Sequence, residues 1–451
     1  MRPYLPIIML GLICASANIQ ATQAATGFEV ADASREAYSR INPNVSRKQL
    51  DEAFRGRGLF RQSWVIAPAE DLETAGLGPL YNQLSCLSCH AKNGRGQPPE
   101  TPRQAMRSML VRLSLPGQEP HGGPLPHPVY GSQLNEQGIP GVPGEGQVNV
   151  DYREDKVVLA DGETVGLRTP VYRFADLQYG AVPGGIQFSP RVGPPVFGLG
   201  LLEAVDEQTI LQLAETGKQR GVHGHPNRVW DDERQRTVIG RFGLKANVAT
   251  LKQQIAGAFI GDMGITSSLH PEENCTFAQS ACKQTASARQ PELSDAQLNA
   301  VLLYLRLLQV PAQRNSGEPT VRQGERLFNA VGCTACHTPM LTTGEFPELP
   351  QLSRQTLHPY TDLLVHDMGE GLADGRPDFQ ADGREWRTPP LWGIGLIEAI
   401  NEHSYFLHDG RARNLTEAVL WHGGEALSSR QGFARLPAGE RLALIRFLES
   451  L

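Results

Sequence analysis

The stretch SCLSCHAKNGRG, residues 85–96, decides how this chain is read. Cys86 and Cys89 stand three apart, with His90 directly behind the second. The spacing returns in GCTACH, residues 332–337, as Cys333, Cys336 and His337. Two thiols so placed can add to the two vinyl groups of one haem, and the adjacent imidazole then reaches its iron from one face. A zinc site would need a second ligand pair close to the first, whereas more than half the chain separates these two motifs. A thioredoxin-like pair would want a βαβ context and explains neither histidine. The sequence therefore predicts two covalently bound haem c groups, attached at Cys86, Cys89, Cys333 and Cys336, with His90 and His337 as proximal ligands.

Around the motifs, the chain suggests one plan used twice. LYNQLSCLSCH from Leu80 and LFNAVGCTACH from Leu327 share Leu-aromatic-Asn at one offset, as if each ended a short helix. Ser294 and Gln297 form a capping box that opens the amphipathic DAQLNAVLLYLRLLQV, stopped by Pro311. The C-terminal LPAGERLALIRFLESL has the same character. A helix, the motif, loops and a closing helix are the outline of a cytochrome c domain. The expected fold is mainly α, with two cytochrome c-like haem domains, the first carrying a large loop-rich insertion. With 47 glycines and 33 prolines the chain is turn-rich, and HGGPLPHPVYGSQLNEQGIPGVPGEG within the insertion reads as loop. The boundaries expected are a signal peptide at 1–25, an N-terminal haem c domain with insertion at 26–313, and a C-terminal cytochrome c-like domain at 314–451.

Compartment follows from the first residues. Arg2, an apolar run from Leu5 to Cys14 and small residues up to Ala25 make a secretory signal, too short to be a membrane span. Cys14 follows Ile13, too bulky for a usual lipoprotein cleavage site. A periplasmic protein with its signal cleaved is expected, with no transmembrane segment. In an oxidising compartment Cys275 and Cys282, which have no histidine at ligand spacing, read as a structural disulfide contributing roughly 2.5 kcal/mol. The net charge of −6 and the lack of a basic tract argue against a nucleic-acid partner.

The sixth ligands decide what such irons do. In RNLTEAVLWHGG, Asn414 and Glu417 form a capping box, and Leu415, Ala418, Val419 and His422 share one helical face. His422 is either a distal ligand of the C-terminal haem or a cap on the last carbonyls of its helix. Met368, in VHDMGEG, is the rival ligand, since thioether is a common sixth ligand. His366, His403 and His408 read as hydrogen-bonding residues around the haem edge. No histidine follows His90 until His121 and His127, so the N-terminal iron is read as open, the condition for binding peroxide.

The chain resembles the bacterial di-haem oxidoreductases, a family described as peroxidases or thiol oxidoreductases and related to di-haem cytochrome c peroxidases. The resemblance rests on GLGPLYNQLSCLSCH, PPVFGLGLLEAV, GRFGLKANVATLKQQIAGAFIGDMGITS, ENCTFAQSAC, HPYTDLLVHDMGEGLADGRPDF, EWRTPPLWGIGL and FLHDGRARNLTEAVLWHGGEA. It implies a mainly α-helical fold, a C-terminal haem that relays electrons and an N-terminal one that meets substrate. At the offset of His422 the related peroxidases carry an iron-bound methionine. Tyr130, Gln133 and Glu145 stand where those peroxidases have an aromatic, a glutamine and a catalytic glutamate, which makes Glu145 the expected acid/base and Gln133 its companion. Calcium has no motif to support it, and AETGKQRGVHGHPNRVWD replaces the acidic loop that relatives carry after LLEAV. The expected partners are a small redox protein or quinol-linked donor, with hydrogen peroxide or a protein as substrate. A purely electron-transferring cytochrome is the alternative.

Overall fold

The computed structural model describes residues 27–182, 184–285 and 291–451. The signal expected at 1–25, with Cys14, lies outside them.

Two crossed helix pairs frame the molecule. Arg47–Arg61 packs on Asp295–Arg306, and Pro319–Ala330 packs on Ala438–Ser450. Each crossing is made at a glycine. A Cβ on Gly56 would sit 1.9 Å from the carbonyl oxygen of Ala300, and one on Gly324 would sit 2.0 Å from that of Ala443. Four residues beyond each contact an aromatic pair closes over the crossing, Phe60 with Tyr304 at 5.6 Å and Phe328 with Phe447 at 5.3 Å between centroids. The capping box of Ser294 and Gln297 forms as its spacing predicts, and Ser46 with Gln49 makes a second one.

The repeat is real but its register differs from the one that Leu80 and Leu327 suggested. Leu327 ends a helix, whereas Leu80–Tyr81 is a short strand paired with Gln137–Gly138. Phe60, on the Arg47–Arg61 helix, is the partner of Phe328. The first half therefore spends residues 62–85 between its helix and its motif, where the second half passes almost directly from one to the other.

The expectation of a mainly α fold is corrected. The chain is 31% helical and 20% strand, with seven small sheets among the described residues. Most of this strand comes from the insertion read as loop. Met109–Gln118 pairs with Gln187–Val192 and Pro124–Leu125, and Gln147–Val158 pairs along its whole length with Thr164–Ala175 as a two-stranded ribbon. Composition misled because glycine and proline sit at the turns between strands. Asp161-Gly162, with Gly162 at φ +88°, turns the ribbon and was a legible hairpin signal.

The halves share a core. One apolar cluster joins Tyr38, Phe197, Leu251 and Leu305 with Leu341, Leu363, Trp392 and Ile400. Cys275 and Cys282 are disulfide-bonded, with Cα atoms 5.7 Å apart. No helix among the described residues is long and apolar enough to cross a membrane.

Candidate functional site

Both motifs open onto one continuous cavity of about 910 Å³ that runs between the helix pairs. At the first, Cys86–Cys89 forms a single helical turn, and His90 follows it out of helical geometry. The ring donates its Nδ1–H to the carbonyl of Pro194 at 2.7 Å, leaving Nε2 with a bare lone pair. The second motif repeats the device, for His337 Nδ1 donates to the carbonyl of Tyr360 at 2.9 Å. Phe60 and Phe328 lie against the two imidazoles at 6.3 and 6.1 Å. Low-dielectric surroundings hold both rings neutral, pushing His90 below the usual range and His337 down to about 4. A neutral imidazole pinned through Nδ1 is the form that binds metal. The same burial pushes the Cys86 and Cys333 thiols up to about 12, so neither is a thiolate of the kind that drives disulfide exchange.

His422, just past the helix Leu415–Trp421, donates Nδ1 to the carbonyl of Ala418 at 2.7 Å. It therefore caps its helix, and still keeps Nε2 for the cavity it shares with His337. Burial first, and to a lesser extent Arg430, keep it neutral, and its charge would oppose that of His337. Met368 lines the same cavity. The N-cap of this helix differs in detail from the capping box expected: Asn414 accepts from the Glu417 amide, while Glu417 turns to Arg413. His366 has both nitrogens engaged, by Asp362 and Glu425, each at 2.9 Å. Burial opposes its charge, yet these bonds and the sulfur of Cys336 raise its pKa to about 12. His408 lies flat on Trp386, 3.8 Å away, at the cavity wall.

The lining fits two haems. Arg95, Arg112 and Arg387 face the cavity and make no ion pair among the described residues. The Nε of Arg95 is buried without a hydrogen-bond partner, as is that of Arg376, whose Nη1 pairs with Asp378 at 3.1 Å. Burial pulls Arg95, Arg376 and Arg387 down to about 10, the mark of guanidinium groups whose charge is under-compensated. Each haem carries two propionate carboxylates, the anions such a lining requires. The Lys245 ammonium is held by Asp374 Oδ1 at 2.9 Å and by the carbonyls of Arg376 and Asp382 at 2.9 and 2.7 Å.

Gln133 and Glu145 are buried but do not line the cavity. Gln133 reaches it at one remove, donating Nε2 to Asp262 Oδ1 at 2.9 Å. Glu145 accepts from the Asn135 amide at 2.5 Å and from Gln279, inside the disulfide loop. Asp262 was missed. It sits on the helix Leu251–Met263, on the cavity face with Leu251, Gln254 and Ala258, near Arg112 and the first motif. A carboxylate within the apolar run IAGAFIGDM was the signal available. Burial raises its pKa, which Arg112 and Gln133 partly offset.

Burial pushes Glu145 up to about 8, and Glu136 and Glu273 up to about 7. Below the ordinary carboxyl range both folded and unfolded chains are protonated. Above it only the unfolded chain ionises freely, so the contribution of these three carboxyls to stability should fall as pH rises from about 5 to about 8 and then level off, against the opposite contribution of buried histidines held neutral. In Glu145→Gln that part of the fall should vanish, so the difference in urea midpoint between wild type and variant should change in the variant's favour across that range. A constant difference would mean that Glu145 is ionised throughout.

The cavity, the two pinned imidazoles and the surplus of buried guanidinium groups define the class as a protein for two haems held in one interior. A family model described as "Di-haem oxidoreductase, putative peroxidase" matches residues 17–451. The chain belongs to this family, and haem is its cofactor. No curated protein matches it.

Proposed function

We propose that the protein is an exported, periplasmic di-haem c oxidoreductase that reduces peroxide, or uses it to oxidise a partner. The observation that carries this is the duplicated device of Cys-x-x-Cys-His with Nδ1 tied to a backbone carbonyl and Nε2 facing a shared cavity. The cysteines would hold the haems as thioethers, one in each of the segments 26–313 and 314–451, with His90 and His337 as proximal ligands and His422 as sixth ligand of the second. When bound, the haems supply one-electron chemistry with peroxide and a path between the two halves. The chain's own contribution is to place Asp262, whose Oδ1 is fixed by Gln133, where it can hold and return a proton close to the first motif. Arg112 beside it restrains that pKa. Electrons would come from a small redox protein or a quinol-linked donor.

One observation favours a second reading, a purely electron-transferring cytochrome. The thioethers of Met109 and Met263 line the cavity and could saturate the first iron. Peroxide titration of the reduced protein, followed optically, separates the two. Re-oxidation with about one peroxide per two electrons supports the oxidoreductase; two permanently six-coordinate, inert haems overturn it.

His422→Met is expected to alter the spectrum of one haem only. It should raise that haem's potential by a sizeable fraction of the about 0.8 V that axial ligands span. Electron paramagnetic resonance and redox titration check it, and an unaltered second haem would remove His422 as ligand.

A further inference from the structure

The ribbon Gln147–Val158 with Thr164–Ala175 belongs to the first half of the chain, yet it lies on the second. At its tip, Leu159 and Leu167 are buried with Leu420, Phe433, Leu444 and Phe447. The Ala160 amide donates to the carbonyl of Ala434 at 3.2 Å, and Arg441 grips Asp161 at 2.8 Å and Glu163. Nearer its base the contacts change character. The Arg168 guanidinium is buried between the rings of Tyr152 and Tyr405, 4.0 and 4.9 Å from their centroids. Its Nε donates to the carbonyl of Arg411 at 2.9 Å and its Nη2 to that of Gly410 at 3.1 Å.

Those carbonyls lie in the segment that joins His408, on the cavity wall, to the helix leading to His422. Arg413, next along, donates to the ribbon at the Gly166 carbonyl, 3.1 Å away, and to Glu417 in the first turn of that helix at 2.8 Å. The helix Leu415–Trp421 has only seven residues. A helix of two turns has little stability of its own, so its position is set by what holds its ends. The ribbon is also tied back towards the first motif, because the Tyr152 hydroxyl donates to the carbonyl of Pro99 at 2.8 Å.

We propose that Arg168 is a positioning residue for His422, so that the first half of the chain sets the ligand geometry of the second haem through the ribbon. The inference rests on His422 being the sixth ligand. Arginine suits the task because a planar fork can bond two successive carbonyls while stacked between two rings, which an ammonium cannot do.

The test uses the haem-loaded protein. In Arg168→Met the resonance signature and midpoint potential of the second haem should shift, with the first haem unchanged. Arg168→Lys should shift them in the same direction and by less, and it remains decisive if Arg168→Met fails to fold. Arg441→Met removes an anchor at the ribbon tip without touching residues 408–422; it should lower thermal stability and leave both haem signatures intact. Unchanged haem signatures in both Arg168 variants would overturn the proposal, as would an equal haem shift in Arg441→Met. His422→Met, measured in parallel, separates the two failures. If it shifts the second haem while the Arg168 variants do not, only the positioning role falls; if it shifts nothing, the ligand reading falls and takes the positioning role with it.

Discussion

Lys245→Met should lower the stability of the fold by about 3–5 kcal/mol, the range for breaking a buried, hydrogen-bonded charge from one side. Lys245 is fully buried, and its ammonium has three oxygen partners and the Trp386 ring centroid 4.5 Å away. Burial pulls its pKa below the usual lysine range, with the Asp374 carboxylate working against that fall. Methionine fills the volume but takes the charged donor from Asp374 Oδ1, which keeps the Arg376 amide at 3.0 Å, and from the carbonyls of Arg376 and Asp382, while Asp374 Oδ2 already lacks a partner. Urea unfolding followed by intrinsic fluorescence measures the loss; a cost under about 1 kcal/mol, the net worth of an ordinary hydrogen bond, would contradict this account. The cation that the oxygens of the loop around 374–383 hold is the Lys245 ammonium, supplied by the chain itself. A chelator should accordingly leave the urea midpoint of the wild type unmoved.

The second large effect comes from a single methyl group. Gly56→Ala is expected to cost roughly 3 kcal/mol, the upper range for overpacking, because the added carbon meets backbone, which cannot rotate aside. The contact of 1.9 Å with Ala300 can be relieved only by separating the two helices, and Phe60 would then lose its seat against His90. Gly58, two residues along the same helix, has open space around its missing Cβ. Gly58→Ala should therefore stabilise by about 0.5–1 kcal/mol through helix propensity alone. Opposite signs for two identical substitutions on one helix would establish the crossing; equal signs would refute it. Gly324, against Ala443, predicts the same loss in the second half.

Local signals carried far in this chain where chemistry or capping is local. Ser294 with Gln297 opened the helix that the structure contains, and the cysteine at 275 found its partner at 282. The strand content is hard to read in the sequence because the ribbon's outer residues face solvent and blur its alternation, leaving Asp161-Gly162 as its one local turn signal. The shared offset of Leu80 and Leu327 does not carry a shared structure, since the aromatic of the first half that matches Phe328 in packing sits on a helix well upstream of its motif. Glu145 and Gln133 rest on the resemblance alone, and the fold buries both outside the cavity wall, with Gln133 bonded to the lining residue Asp262.

By itself, the sequence located two Cys-x-x-Cys-His motifs as candidate anchors for two porphyrins, because thioether attachment and proximal ligation would be made by residues within five positions of one another. Only the tertiary structure decided that both imidazoles are steered by carbonyls at Pro194 and Tyr360, that both motifs face one cavity, that Asp262 and the arginines line it, and that a ribbon from one half holds the other. Those relations join residues far apart in the chain, and their distances are set by how helices, strands and loops pack against each other.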